Sequence, residues 1–268
     1  MTLQGTNTYL IGSGPRKLLI DTGEINNNEY LSLLQSILKA NDSYIAEIIV
    51  THWHPDHVGG VPDICKMLAD QSASQPTISK FPRTKAPEFS LGGIPYNFIE
   101  DNHVFHTNGA TLRAHHTPGH SEDHLILYLE EENAVFSGDT VLGEGTTVME
   151  DLFLYMKSLQ TILDLNPQII YPGHGPLVED PITFVKNYIQ HRKHRETQIF
   201  NYLKENSPKS FNLVEIRTQI YKDLNKSLYK AAEKNTVLHL QKLEKENVVE
   251  SLNENGSQKW RYLIKSTL

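Results

Sequence analysis

The sequence predicts an α/β protein with a small C-terminal appendage. Three observations carry that reading. Short β-branched runs alternate with amphipathic helical stretches up to about residue 180. Histidines and aspartates recur just past the ends of those runs, where α/β folds place their chemistry. From Phe211 the pattern changes to helix, helix, hairpin, the order of a winged helix.

Composition sets the bounds. A chain of 268 residues suits one large domain plus a small one, here a catalytic domain over 1–195 and a winged-helix-like domain over 196–268. The single cysteine, Cys65, excludes an internal disulfide framework and points to a reducing or thiol-neutral compartment. It lies in a predicted helix and reads as a buried structural thiol rather than a nucleophile. No run of about 18 apolar residues predicts a membrane span. The N-terminal residues look like neither a secretory signal nor an Arg-rich transit peptide. Net charge is −7, unevenly spread: residues 201–268 carry +4 and the rest −11. The basic tail fits an anionic partner, and equally an ordinary solvated surface.

In chain order, residues 7–11 and 17–21 predict a hairpin around Gly12-Ser13-Gly14-Pro15. Asp21 closes it, and is read as supporting a nearby site in preference to merely starting a turn. Residues 29–40 have helical spacing, with Leu31, Leu34, Ile37 and Leu38 on one face. Ile48-Ile49-Val50 predicts a buried strand, followed by Thr51-His52-Trp53-His54-Pro55-Asp56-His57-Val58-Gly59-Gly60. Imidazoles at 52 and 54 can face one way on extended backbone while Trp53 faces the other. Pro55 fits a helix start, and a helix is expected from Pro62 through Ala69. Residues 71–102, rich in Ser, Pro and Gly, predict surface loops with short strands.

The later ligands repeat the arrangement. A strand near 111–116 ends at Pro118-Gly119 and presents His120. Strands at 125–129 and 134–139 flank an acidic turn, and the second ends in Asp139. The loop 143–147 either lines the cleft or merely connects. Residues 152–165 predict an amphipathic helix stopped by Asn166-Pro167, and the strand after it ends at His174. A long helix from 181 to about 206 carries His191-Arg192-Lys193-His194-Arg195, read as a solvated or bracing face in preference to a phosphate contact. The tail predicts helices over 213–221 and 229–246, then a hairpin around Asn255-Gly256.

The ligand set divides naturally. His52, His54 and His120 suit one ion; Asp56, His57 and His174 suit a second; Asp139 would bridge them opposite a water or hydroxide. Imidazole and carboxylate are good zinc donors. Two ions about 3.5–4 Å apart can generate hydroxide and clamp the attacked and leaving oxygens, so no Ser or Cys nucleophile is required. Asp56 can also orient the attacking water, which makes it the catalytic candidate. None of the other eight histidines is assigned as a ligand; His116 and His124, close to His120 in sequence, are candidates to support the site or contact substrate, with an ordinary structural role preferred for each.

These motifs (His52-Trp53-His54-Pro55-Asp56-His57, Pro118-Gly119-His120, Ser137-Gly138-Asp139 and Pro172-Gly173-His174-Gly175) resemble, position by position, those of the metallo-β-lactamase superfamily. Met1-Thr2-Leu3-Gln4-Gly5-Thr6-Asn7-Thr8-Tyr9-Leu10, Leu142-Gly143-Glu144-Gly145-Thr146-Thr147-Val148, Tyr155-Met156-Lys157-Ser158-Leu159 and the tail are similar to its beta-lactamase-like protein 2 group. The resemblance covers essentially the whole chain. It implies an αββα sandwich with a winged-helix domain, two zinc ions per chain and a hydrolase. It further implies endonucleolytic cleavage of single-stranded RNA, in animals in the mitochondrial matrix and in RNA turnover; a cytoplasmic location is the alternative. Members of the group usually carry residues before this Met, including a first strand, and every metal motif lies after it. No membrane or protein partner is expected, and a homo-oligomer is compatible.

Two other functions share the motif. A thioester hydrolase like glyoxalase II would need a C-terminal glutathione pocket, whereas this tail reads as a winged helix. A non-catalytic RNA-binding relative would be expected to lose ligands, and this chain has the full set. β-Lactamase activity does not follow from the shared fold.

Overall fold

The computed structural model describes residues 5–71, 73–254 and 256–264. The chain forms two compact units. One comprises residues up to Met149 together with Leu154–Val185, the other Glu150–Phe153 and the residues from Lys186 onward.

The first unit is built on two five-stranded sheets. One contains β1 (Tyr9–Ile11), β2 (Arg16–Ile20), β3 (Tyr44–Ile49), β4 (Thr77–Lys80) and β5 (Asn97–Phe98), in that order. β1 and β2 form the expected antiparallel hairpin, and β2 to β5 run parallel. The other is ordered β10-β9-β8-β7-β6, from β6 (Val104–Thr107), β7 (Ala110–His116), β8 (Leu125–Leu129), β9 (Ala134–Gly138) and β10 (Ile169–Pro172). β10 lies parallel to β9, and the remaining pairs are antiparallel.

Alternation along the strands decides what each face covers. Leu18 and Ile20 of β2 pack with Phe105, Leu112, Leu127 and Phe136 of the opposite sheet, so the sheets meet face to face. Leu19 and Ile48 point the other way, against Leu34 and Leu38 of α1 (Asn28–Ala40) and Ile64 and Leu68 of α3 (Val61–Asp70). α4 (Leu152–Leu165) buries Tyr155, Leu159 and Ile162, completing an αββα order. Cys65 is 6% exposed inside the α1–α3 layer, and burial raises its thiol pKa. It is structural.

One expectation is corrected here and another is made specific. Ile37 is 38% exposed, because the buried stripe of α1 narrows to Leu34 and Leu38, one turn apart. The 71–102 segment holds the short strands expected of it, β4 and β5. β4 is an interior strand whose Ser79 and Lys80 are fully buried. Its polar residues hide the strand from a hydrophobicity pattern; Lys80 is tolerated because its ammonium lies 2.6 Å from Glu88 and 3.0 Å from Asp123.

The second unit takes the C-terminal part of α5 (Pro181–Glu205), then β11 (Phe211–Asn212), α6 (Leu213–Ile220), a 3-10 turn (Lys226–Leu228), α7 (Tyr229–Lys245), β12 (Val249–Glu254) and β13 (Ser257–Tyr262). This is the helix, helix, wing order. A reciprocal capping box between Asn212 and Glu215 starts α6. Ile199, Ile216, Leu240, Leu243, Val249 and Trp260 form its core. The two-residue β11, too short to announce itself, joins the wing in the order β11-β13-β12. Asn255 of the expected hairpin turn lies outside the described residues. In the 191–195 run Arg192 is buried and Arg195 lies 3.9 Å over the Tyr221 ring, so these two cations brace the unit. Among the described residues no helix is long and apolar enough to cross a membrane.

Candidate metal centre

Every candidate ligand follows a strand. His52 and His54 lie in the bend after β3, and Pro55 opens the one-turn helix α2 (Pro55–Val58) that carries Asp56 and His57. Behind it Gly60 is pressed onto the Thr22 carbonyl, where a Cβ would sit 2.3 Å from the oxygen. His120 follows β7 through Gly119, whose φ of +134° and closeness to Tyr155 admit no side chain. Asp139 follows β9, and His174 follows β10. All seven predicted residues converge in the first unit. They form two groups, His52–His54–His120–Asp139 and Asp56–His57–His174, with the ligand atoms of each within 4.8 Å of one another.

Hydrogen bonds behind the rings fix which nitrogen faces inward. His120 Nδ1 donates to the Val148 carbonyl (2.7 Å), and His174 Nδ1 to that of Gly5 (2.8 Å). His57 Nδ1 donates to Asp21 Oδ2 (2.7 Å). Thr51 donates its hydroxyl to Asp21 (2.8 Å), so its oxygen accepts from His52 Nδ1 (3.0 Å). In the neutral rings, each of these four imidazoles therefore turns a bare Nε2 toward the centre. Asp21 thus supports the site through both Thr51 and His57.

The donor set fits two cations. His52 Nε2, His54 Nδ1 and His120 Nε2 lie 2.9–3.2 Å apart, a convergence of lone pairs that a cation would relieve. Asp139 stands between the groups: Oδ2 is 3.6 Å from His120 Nε2, and Oδ1 is 3.4 Å from both His57 and His174 Nε2. Asp139 Oδ1 is buried without a hydrogen-bond partner, as expected of an oxygen reserved for a metal. A dinuclear site is what these residues would hold.

Electrostatics divides the groups. Burial, helped by neighbouring imidazoles, holds His52 well below the usual histidine value and His54 at about 4, and burial also lowers His120. Burial opposes charge on His57 and His174 too, but carboxylates prevail. Asp21 and Asp139 hold His57 well above the usual value; Asp139 and Asp56 raise His174 to about 10. Burial alone would raise Asp139, yet the His174 and His57 imidazoles, 3.4 Å from its Oδ1, hold it well below the carboxylate range.

Of the two histidines named as candidate supports, His124 takes that role. Fully buried, its Nε2 accepts the Asp139 amide proton at 2.9 Å. His116 stands off the centre, stacked on Phe81 at 4.2 Å. The 143–147 loop lines the cleft: Glu144 and Gly145 border a cavity of about 560 Å³ with Gly5, Thr6, Asn7, His174 and Gly175. Trp53 packs edge-on against His54 at 4.7 Å and under the Arg83 guanidinium at 4.2 Å.

Comparison with known proteins agrees with this architecture. Residues 1–174 match the metallo-beta-lactamase superfamily, and residues 213–260 the beta-lactamase associated winged helix domain. The beta-lactamase-like protein 2 homolog of Caenorhabditis elegans is 45% identical over 251 residues, covering 93% of this chain and 82% of that protein. An atrochrysone carboxyl ACP thioesterase of Aspergillus chevalieri is 41% identical over 209 residues, covering 78% of this chain and 63% of its own length. The crystal structure of a beta-lactamase domain protein from Burkholderia ambifaria shares the fold, with a TM-score of 0.77 at 18% identity over 98% of this chain and 91% of that one. Fold and site together define a metal-dependent hydrolase. The two domain matches and the 45% identity make the family plain: this chain belongs to the metallo-beta-lactamase superfamily.

Proposed function

We propose that this hydrolase is an endoribonuclease that cleaves phosphodiester bonds in single-stranded RNA, with zinc as its metal, and that it serves RNA turnover in the mitochondrial matrix. The observation that carries the reading is the pair of ligand groups sharing Asp139. Two cations held there lower the pKa of water and neutralise charge on a phosphodiester. Asp139 keeps its charge and faces both groups. Asp56 Oδ2 lies 3.2 Å from His174 Nε2, and its carboxylate stays ionised, because the His174 and His57 contacts outweigh the effect of burial. It is thus an acceptor able to orient a water for attack. The winged-helix unit supports a polyanionic substrate: Lys222, Lys226, Lys230 and Lys234 are exposed, and exposed cations can contact phosphates.

A thioester hydrolase is the second reading, favoured by the name of the Aspergillus chevalieri relative. One experiment separates them. Purified protein of known metal content is incubated with labelled single-stranded RNA blocked at both ends, beside Asp56→Ala and His120→Ala. Internal cuts by the wild type, lost in both folded variants, are expected. Full activity in a metal-verified Asp56→Ala sample refutes the role given to Asp56. No cutting by a protein holding two metal ions moves the assignment to thioesters, with S-lactoylglutathione and an acyl-carrier thioester next.

A further inference from the structure

The segment Gly5-Thr6-Asn7 offers no usual metal-ligating side chain, yet it is fastened to the second ligand group at every residue. The Gly5 carbonyl accepts from His174 Nδ1 at 2.8 Å. The Thr6 hydroxyl donates to Asp56 Oδ2 at 3.1 Å. Asn7 donates its backbone N–H to Gly173 O (2.7 Å) and its side-chain amide to Pro172 O (3.0 Å) and Gly175 O (2.9 Å). The first group has no contact of this kind with the segment; its rear hydrogen bonds come from Thr51 and Val148.

We infer that Thr6 is a positioning residue for the second metal, acting through Asp56. The argument turns on one oxygen. Asp56 Oδ2 lies 3.2 Å from His174 Nε2 and 3.5 Å from His57 Nε2, and those two nitrogens lie 3.3 Å from each other. Asp56 Oδ2 is therefore the atom that meets the two imidazoles. The terminal torsion of an aspartate is soft and broad. The Asp56 side chain is 17% exposed, and its carboxylate is held by its hydrogen-bond and ion-pair partners. Thr6 occupies one lone pair of Oδ2 and leaves another for a cation. In the same segment Gly5 fixes the His174 tautomer, so two of the three ligands of this group are oriented from one short stretch of chain. Removing the partner behind a metal ligand typically lowers metal affinity about 10- to 100-fold.

The inference concerns metal loading and stands whether the substrate is RNA or a thioester. The test uses Co2+ as the probe, with the full chain stripped by chelator. Wild type, Thr6→Val and Thr6→Ser are titrated with Co2+ and followed by d–d absorbance and calorimetry. Thr6→Val keeps the shape and removes the hydroxyl; Thr6→Ser keeps the hydroxyl. In Thr6→Val one of two binding steps should weaken about 10- to 100-fold while the other is unchanged. Thr6→Ser should retain both, and the melting temperature of the metal-free protein should be equal in all three. Two wild-type steps in Thr6→Val would overturn the inference. Equal weakening of both steps, equal loss in Thr6→Ser, or a lowered metal-free melting temperature would overturn it as well, because each marks a general structural role.

Discussion

Loading the two ligand groups should release protons from one and not from the other. At pH 7 in chelator-treated protein, His52, His54 and His120 are already neutral, since burial and mutual repulsion depress them. A cation entering that group displaces no proton. His57 and His174 are imidazolium under the same conditions, held so by Asp21, Asp139 and Asp56 against the effect of burial. A cation entering the second group must expel a proton from each Nε2. The sign follows: raised pKa values mean protons compete below them, so affinity for the second ion rises with pH. Each displaced proton contributes about tenfold per pH unit. With His174 at about 10, that ring alone weakens loading about a thousandfold at pH 7 relative to pH 10, roughly 4 kcal/mol. Calorimetric titration in buffers of different ionisation enthalpy counts the protons in each step. The expected result at pH 7 is about zero from the rings in the tighter step and about two from the rings in the weaker, where ionisation of the metal-held water adds up to about one more. Equal release in both steps, or a weaker step that does not change between pH 6 and 8, would refute the reasoning.

Two further outcomes can be checked directly. Lys80→Met should destabilise the first unit by about 3–5 kcal/mol in denaturant unfolding, because it leaves the fully buried Asp123 without its cation; adding Asp123→Leu should recover part of that loss, and no recovery would count against the ion-pair account. Replacing Lys222, Lys226, Lys230 and Lys234 together with Ser should weaken single-stranded RNA binding and flatten its dependence on salt by about 0.7 log units per lost phosphate contact, as read by fluorescence anisotropy at several salt concentrations; an unchanged salt slope would exclude these lysines.

The ligands were legible because each sits in a short motif at a strand end, where residue type and neighbours carry the information. Their supports were less so. Thr6 and Val148 act on ligands 50 and 28 residues away, and nothing local distinguishes them from an ordinary threonine or valine; His124 was marked by its closeness to His120, not by the Asp139 amide 15 residues on that it serves. Asp21 was readable only because it closes a hairpin next to the site. β4 was expected only as one of several short strands, without bounds, for a different reason. A strand of four residues with Ser79 and Lys80 buried breaks the apolar pattern, and its ion pairs come from chain that has not yet been paired when the sequence is read. Ile37 shows the converse: helical spacing marks which residues share a face, not how wide a stripe the neighbouring sheet will cover.

The two ligand groups do more than assemble a reaction centre. Each draws from both sheets: His52 with His120, 68 residues apart, and His57 with His174, 117 residues apart. A cation bound to either group is thus a rivet through the sandwich. Ions that bind the folded chain and not the unfolded one stabilise it in proportion to the logarithm of their free concentration, roughly 1.4 kcal/mol per tenfold. The lifetime of this protein in the cell should therefore follow metal supply. A starved cell would lose the enzyme itself through unfolding and proteolysis, not only its turnover rate.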